Sequence, residues 1–271
     1  EPGAEDDGAA EAAGARTMTA PTAHERGAPL QFDPFEVLGT ATEDISPYDL
    51  LRRALQEYGD DLRIACSLGV EDMVVLHEAA RAAKDLALTP RVFLLDTGRL
   101  HQETYDLVDR ARDKYGFPLE VYAPDTVSVE NLVRTKGPNS FYRSVDDRRE
   151  CCAIRKLGPL ARALDGARAW VTGLRRDQGP TRADVRVVER DLANGGLIKL
   201  NPLAHWSSDR VWAFAREHRV PTHALHAQGY PSIGCAPCTR AVAEGQDPRA
   251  GRWWWEDPNH KECGLHSRQR S

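Results

Sequence analysis

From Ser46 onward, short apolar runs alternate with helix-like stretches, and this alternation limits the chain to few folds. Ser46-Pro47 reads as an N-cap followed by proline at the first helical position, and Gly59 ends that helix. Leu62 to Cys66 reads as a strand that turns through Ser67-Leu68-Gly69-Val70-Glu71-Asp72 into a helix carrying Val74, Val75, Leu76 and Ala79. Arg91 to Leu95 is a second strand, closed by Asp96-Thr97-Gly98, and the helix after it runs from about His101 to Tyr115, where Gly116 stops it. Leu119 to Tyr122 is a third strand, and Ala167 to Thr172 a fourth that ends at Gly173. The pattern predicts an α/β fold with a parallel sheet flanked by helices. Ligands bind beyond the carboxyl ends of such strands, where Ser67, Asp96 and Gly173 fall. The sequence holds no internal repeat, and its last 40 residues, rich in Gly, Pro and Trp, read as irregular structure closing over a site.

Composition narrows the function classes. Of 271 residues, 41% are hydrophobic and 28% charged, and no apolar run approaches the length of a membrane-spanning helix. The net charge is −5, and most of it lies in residues 1–31, leaving the rest near neutral. That balance argues against bulk binding to nucleic acid or an anionic membrane surface. The 1–31 segment is poor in large apolar residues and is expected to be a disordered tail. No basic stretch followed by an apolar one suggests a secretory signal, so a cytoplasmic location is expected.

The six cysteines are Cys66, the adjacent Cys151 and Cys152, Cys235 and Cys238 spaced CxxC, and Cys263. In a reducing compartment such pairs read as metal ligands or redox nucleophiles before disulfides. Two pairs from distant parts of the chain can close a four-thiolate site for zinc or an iron–sulfur cluster. Adjacent side chains diverge, which favours the larger cluster, although zinc and buried free thiols remain open on spacing alone. Cys66 reads as a buried strand residue. Cys263, in Lys261-Glu262-Cys263-Gly264-Leu265-His266, has cationic neighbours in sequence that could favour its thiolate.

The turn at Ser67 and Gly69 leaves backbone N–H groups at a helix start, a potential anion site. It matches neither a Walker loop nor a dinucleotide fingerprint. Lys156, Arg175, Arg176, Arg182, Arg249 and Arg252 together would suit a phosphate or sulfate pocket. Trp253-Trp254-Trp255 implies that something packs on three consecutive large aromatics.

These motifs together resemble one family. CSLGVED from Cys66, LDTGRLHQET from Leu95, Cys151-Cys152, GLRRDQ from Gly173, GYPSIGCAPCT from Gly229, GRWWWE from Gly251 and the KECGLH terminus are similar to thioredoxin-dependent adenylylsulfate (APS) reductases of the PAPS/APS reductase family. The resemblance runs from about residue 35 to 268. It implies an adenine-nucleotide α-hydrolase-like, Rossmann-like fold, with an α/β nucleotide- and cluster-binding domain over 35–240 and a mobile C-terminal segment over 241–271. It implies that Cys263 attacks the sulfur of bound adenosine 5′-phosphosulfate, that AMP leaves, and that thioredoxin reduces the resulting S-sulfocysteine to release sulfite. It further implies a [4Fe–4S] cluster on Cys151, Cys152, Cys235 and Cys238, and substrate contacts from Ser67, Gly69, Lys156, Arg182, Arg249, Arg252 and His266.

Within the family, the two cysteine pairs go with APS rather than PAPS as substrate. A PAPS reductase is the nearest alternative. An ATP-pyrophosphatase-type thiolation enzyme would need an S-G-G-x-D-S loop, which this chain lacks at Ser67. A homo-oligomer is compatible with everything above.

Overall fold

The protein is described by a computed structural model covering residues 45–179, 182–257 and 264–265. The expected tail over 1–31 lies outside the described residues. Helix α1 (Pro47–Tyr58) starts as its sequence requires: Ser46 Oγ accepts the Asp49 N–H at 3.0 Å, and proline takes the first helical position. Its buried stripe of Leu50, Leu51, Ala54 and Leu55 faces α2 (Val70–Asp85). Strands β1 (Leu62–Ala65) and β2 (Val92–Leu95) are buried over most of their length; β2 is an unbroken apolar run, and β1 is one interrupted by the buried Arg63. Helix α3 (Gln102–Tyr115) ends at Gly116, whose φ of 75° is the left-handed cap that glycine favours. Strand β3 (Leu119–Tyr122) follows.

Next come α4 (Thr126–Lys136) and α5 (Val145–Cys152), then a π-helical turn (Ala153–Leu157) running directly into α6 (Gly158–Ala163). Strand β4 (Ala169–Val171) is shorter at both ends than the sequence suggests. Two strands were not anticipated, β5 (Val188–Asp191) and β6 (Leu197–Leu200), nor was α7 (Ser208–Glu217).

The sheet order is β3-β2-β1-β4-β6-β5. All neighbours are parallel except β5, which runs antiparallel to β6 and qualifies the expectation of a parallel sheet. The chain builds outward from β1 through β2 to β3, then returns to place β4 on the other side of β1. That reversal opens a crevice at the carboxyl ends of β1 and β4. The described part of the C-terminal segment packs into the same compact unit, residues 34–271, through an isolated bridge between Thr239 and Arg252 and through the buried Trp253 ring.

Two histidines tie this packing to pH. The Leu225 N–H donates to His223 Nδ1 at 3.3 Å, so the proton sits on Nε2, which donates to Thr104 Oγ1 at 3.0 Å. Burial and the neighbouring His226 and His101 hold the His223 pKa down at about 4, and burial and Lys114 do the same for His77. Both fall below the unfolded value of about 6.5, so the unfolded chain binds more protons between these limits. We expect the urea midpoint to be flat with respect to these groups above about pH 6.5 and to fall progressively toward about pH 4. His223→Asn, which can keep one of the two hydrogen bonds, is expected to flatten part of that slope.

Candidate active site

A cavity of about 320 Å³ opens where β1, β2 and β4 end, and Ser67, Gly69, Thr97 and Gly173 line its strand-end wall. The turn after β1 is set by Leu68, whose φ is 64° and whose side chain is fully buried. At this turn the Ser67 donors are already engaged. Asp72, one turn into α2, accepts the Ser67 N–H at 2.7 Å, the Ser67 hydroxyl at 2.5 Å and the Gly173 N–H at 3.1 Å. Burial pushes the Asp72 carboxyl up, while these hydrogen bonds oppose that shift. Gly173 is required by the same contact. A Cβ there would overlap the Asp72 carboxylate and lie 3.0 Å from the Asp72 backbone nitrogen. A carboxylate of the chain thus holds the Ser67 donors, while Ser67 and Gly69 both line the cavity.

The six candidate cations divide. Arg175 is buried and bound to Glu71, its Nη2 at 2.8 Å, with Asp177 beside it, so its charge is answered internally. Arg176 donates to the Val185 carbonyl at 2.7 Å and pairs with His205, and it is not part of the cavity wall. Lys156, Arg182, Arg249 and Arg252 do line the cavity. Arg182 is held by the Gln178 side-chain carbonyl, and the Gln178 amide donates to Glu71 at 3.0 Å. Arg252 packs against Gly234 and donates to the Ile233 carbonyl at 3.2 Å.

Beside this cavity is a second, much smaller space of about 20 Å³, lined by all four of Cys151, Cys152, Cys235 and Cys238. Phe141 and Trp253 complete its apolar shell. Cys151 and Cys152 end α5, and the π turn that follows carries Arg155 and Lys156. Burial opposes the Cys235 thiolate, but Lys156, a hydrogen bond with Thr97 and the arginines 252 and 155 outweigh it and hold its pKa below the ordinary thiol value. Burial and the Cys235 and Cys152 sulfurs push Cys238 up to about 12. Four cysteine sulfurs gathered beside cations form a donor set that a bound metal centre would stabilise as thiolates.

Two observations test a bound group there. Trp253 Nε1 and Arg155 Nε are buried donors with no hydrogen-bond acceptor, and both residues line the small space. Sulfide or thiolate sulfur at the centre would give them acceptors. Among the described residues, no three His, Cys, Asp or Glu side chains form a group able to hold a single metal ion. A single zinc requires such convergence, whereas a cube takes one thiolate at each of four corners. The four cysteines and the two buried donors fit a [4Fe–4S] group.

Cys66 is buried just past β1, and burial with the nearby Asp72 charge pushes its thiol far up, in keeping with an inert residue. Cys263 and His266 lie outside the described residues. Leu265, two residues after Cys263, lines the large cavity. The sequence reading assigned no role to Asp72, Thr97, Arg155 or Gln178. Asp72 and Gln178 stand inside quoted motifs, and their polarity beside a strand end was the available signal.

With this geometry, the chain belongs to the phosphoadenosine phosphosulfate reductase domain family, whose model matches residues 61–241. Relatives named adenosine 5′-phosphosulfate reductase are similar over most of its length. The protein from Allochromatium vinosum is 52% identical over 228 residues, 84% of this chain and 87% of that one. The protein from Pseudomonas aeruginosa strain LESB58 is 46% identical over 251 residues, 90% and 91% of the two chains. A chloroplastic 5′-adenylylsulfate reductase 1 from Arabidopsis thaliana is 46% identical over 93% of this chain, which spans only 54% of that relative. Among solved structures, a phosphoadenylyl-sulfate (PAPS) reductase from Candida auris in a phosphate complex superposes with a TM-score of 0.61 at 29% identity, covering 73% of this chain and 91% of that one. Among the described residues, no helix is long and apolar enough to cross a membrane.

Proposed function

We propose that the chain reduces adenosine 5′-phosphosulfate to sulfite and AMP in sulfate assimilation, with thioredoxin as the electron donor and an S-sulfocysteine on Cys263 as the intermediate. The observation that carries this reading is a shared wall. Lys156, Cys235, Arg252 and Trp253 line both the nucleotide-sized cavity and the four-cysteine space. The wall brings cations to one side of the cavity, and Leu265, two residues after Cys263 in sequence, lines the same cavity.

The chemistry balances with two thiols. The Cys263 thiolate attacks the sulfate sulfur, a sulfur–sulfur bond forms, and the bond to the phosphate oxygen breaks with its electron pair leaving on AMP. Lys156, Arg249 and Arg252 stabilise that leaving charge. A thioredoxin thiolate then attacks Cys263, sulfite departs with the electron pair of the sulfur–sulfur bond, and the second thioredoxin thiol closes its disulfide and frees Cys263. Cys151, Cys152, Cys235 and Cys238 would hold the [4Fe–4S] cluster, whose thiolate and sulfide charge would orient Lys156 toward the substrate. Reduced thiols of this kind suit a cytoplasmic setting.

The taken Ser67 donors speak against a triphosphate at the β1–α2 turn and therefore against the ATP-pyrophosphatase alternative. Glu71 and Asp72 also stand in the wall there, so an additional phosphate near that turn would meet carboxylates. Mixing the protein with reduced thioredoxin and APS is expected to release sulfite and AMP in equal amounts, with kcat/KM for PAPS at least about tenfold lower. Equal or better use of PAPS would assign the other substrate. Absence of sulfite with either nucleotide would reject the reductase reading.

Lys156→Ala, Arg249→Ala and Arg252→Ala each remove one charge-assisted contact. Such a contact contributes roughly 1.5–3 kcal/mol, so kcat/KM should fall about 10- to 150-fold per variant. Steady-state kinetics check this, and three variants with unchanged kcat/KM would place the anion elsewhere.

A further inference from the structure

The cations assigned to the sulfophosphate come from two segments far apart in sequence. Lys156 stands in the π turn after α5, while Arg249 and Arg252 stand in the C-terminal turn. The Thr239–Arg252 bridge joins that turn to the Cys235–Cys238 loop. A buried ion pair ties it to α5. Arg148, on α5, donates from Nε to Glu256 Oε1 at 2.9 Å and from Nη2 to Glu256 Oε2 at 2.8 Å. The two side chains are only 1% and 3% exposed.

Their neighbours make the contact a junction. Arg148 also hydrogen-bonds the Cys152 sulfur. The Arg148 guanidinium lies 4.8 Å from the centre of the Trp253 ring, and that of Arg252 lies 4.7 Å from it. The Glu256 N–H donates to the Trp253 carbonyl at 2.9 Å, and the Trp253 N–H donates to the Cys238 carbonyl at 3.1 Å. Trp253 keeps a φ of 40°, a left-handed conformation that surrounding packing must hold. An apolar contact of equal area could slide. Two parallel N–H···O bonds in a planar fork fix both distance and orientation.

We infer that Arg148 and Glu256 are positioning residues that hold the Lys156 segment and the Arg249–Arg252 turn in register, so that together they grip the anionic end of the nucleotide. This rests on the reading of the large cavity as a sulfonucleotide site. The pair itself touches no substrate atom and acts through Trp253 and α5.

The test uses iron-loaded protein and the double variant Arg148→Met/Glu256→Leu, because an apolar pair of similar volume commonly preserves a core that a lone buried charge would disrupt. Binding of AMP and of adenosine is measured by calorimetry for both proteins. The double variant is expected to lose about tenfold or more in AMP affinity while adenosine affinity stays unchanged. A purely structural role would weaken both ligands together, and that result, or unchanged AMP binding, overturns the proposal. If the wild-type protein binds adenosine as tightly as AMP, the anion-pocket reading fails and the inference with it. Should the double variant not fold, Glu256→Gln, nearly the same shape without the charge, supplies the same comparison.

Discussion

Cys263→Ser is expected to purify with its iron, to bind AMP as the wild type does, and to release no sulfite. Neither the four cysteines nor the cations depend on this thiol, so binding and colour should survive. Chemistry should not, because a serine hydroxyl at neutral pH is a far weaker nucleophile than a thiolate. The loss should approach roughly 10⁶-fold, the scale on which a covalent catalyst loses rate with its nucleophile. The wild type supplies the complementary result. Given APS without thioredoxin, it should release one equivalent of AMP and gain about 80 Da, the mass of an SO₃ group on the nucleophilic thiol. Peptide mapping should place that gain on Cys263. Modification of Cys66 instead, or sustained turnover by Cys263→Ser, would overturn the mechanism.

The second large effect concerns the small cysteine space. Cys152→Ser and Cys235→Ser should each yield colourless protein with iron near zero and sulfite formation below detection, because three thiolates do not complete a four-corner cube. The loss should extend to the nucleotide site. Cys235 belongs to the shared wall, and Lys156 acts on it electrostatically, so emptying the space removes the charge facing Lys156. Iron analysis with visible absorption checks the first part, and the change in KM for APS in any residual activity checks the second. A colourless, zinc-bound and fully active variant would refute the cluster.

Much of this arrangement was legible in the residues. β1, β2 and β3 could be placed because their apolar runs were bounded by turn residues, and α1 because Ser46, Pro47 and Gly59 mark its ends. β5 escaped because three of the four residues in Val188-Glu189-Arg190-Asp191 are charged, as an edge strand can be, and Glu189 meets Lys199 only when β6 lies alongside. α4 and α5 lacked a clear apolar stripe, yet their caps were present: Asp125 accepts the Ser128 N–H at 2.8 Å and Ser144 accepts the Asp147 N–H at 3.1 Å. The cysteine pairing could be read from motifs. Its surroundings could not, because Asp72 meets Gly173 and Arg148 meets Glu256 across more than 100 residues, and no local pattern encodes such a meeting. The cations show the same limit. Arg175 and Arg252 look equivalent in sequence and both line the cavity, and only the fold decides that Glu71 neutralises Arg175.

The carboxylate that Asp72 places against the start of α2 has a consequence for competition inside a cell. Nucleoside triphosphates share the adenosine moiety of the proposed substrate, and they are the abundant rivals for any adenine-shaped cleft. With Glu71 and Asp72 in the cavity wall at that helix start, extra phosphates entering there would meet carboxylates. Carboxylates at that wall would disfavour nucleotides with longer anionic tails relative to one with a single charged end.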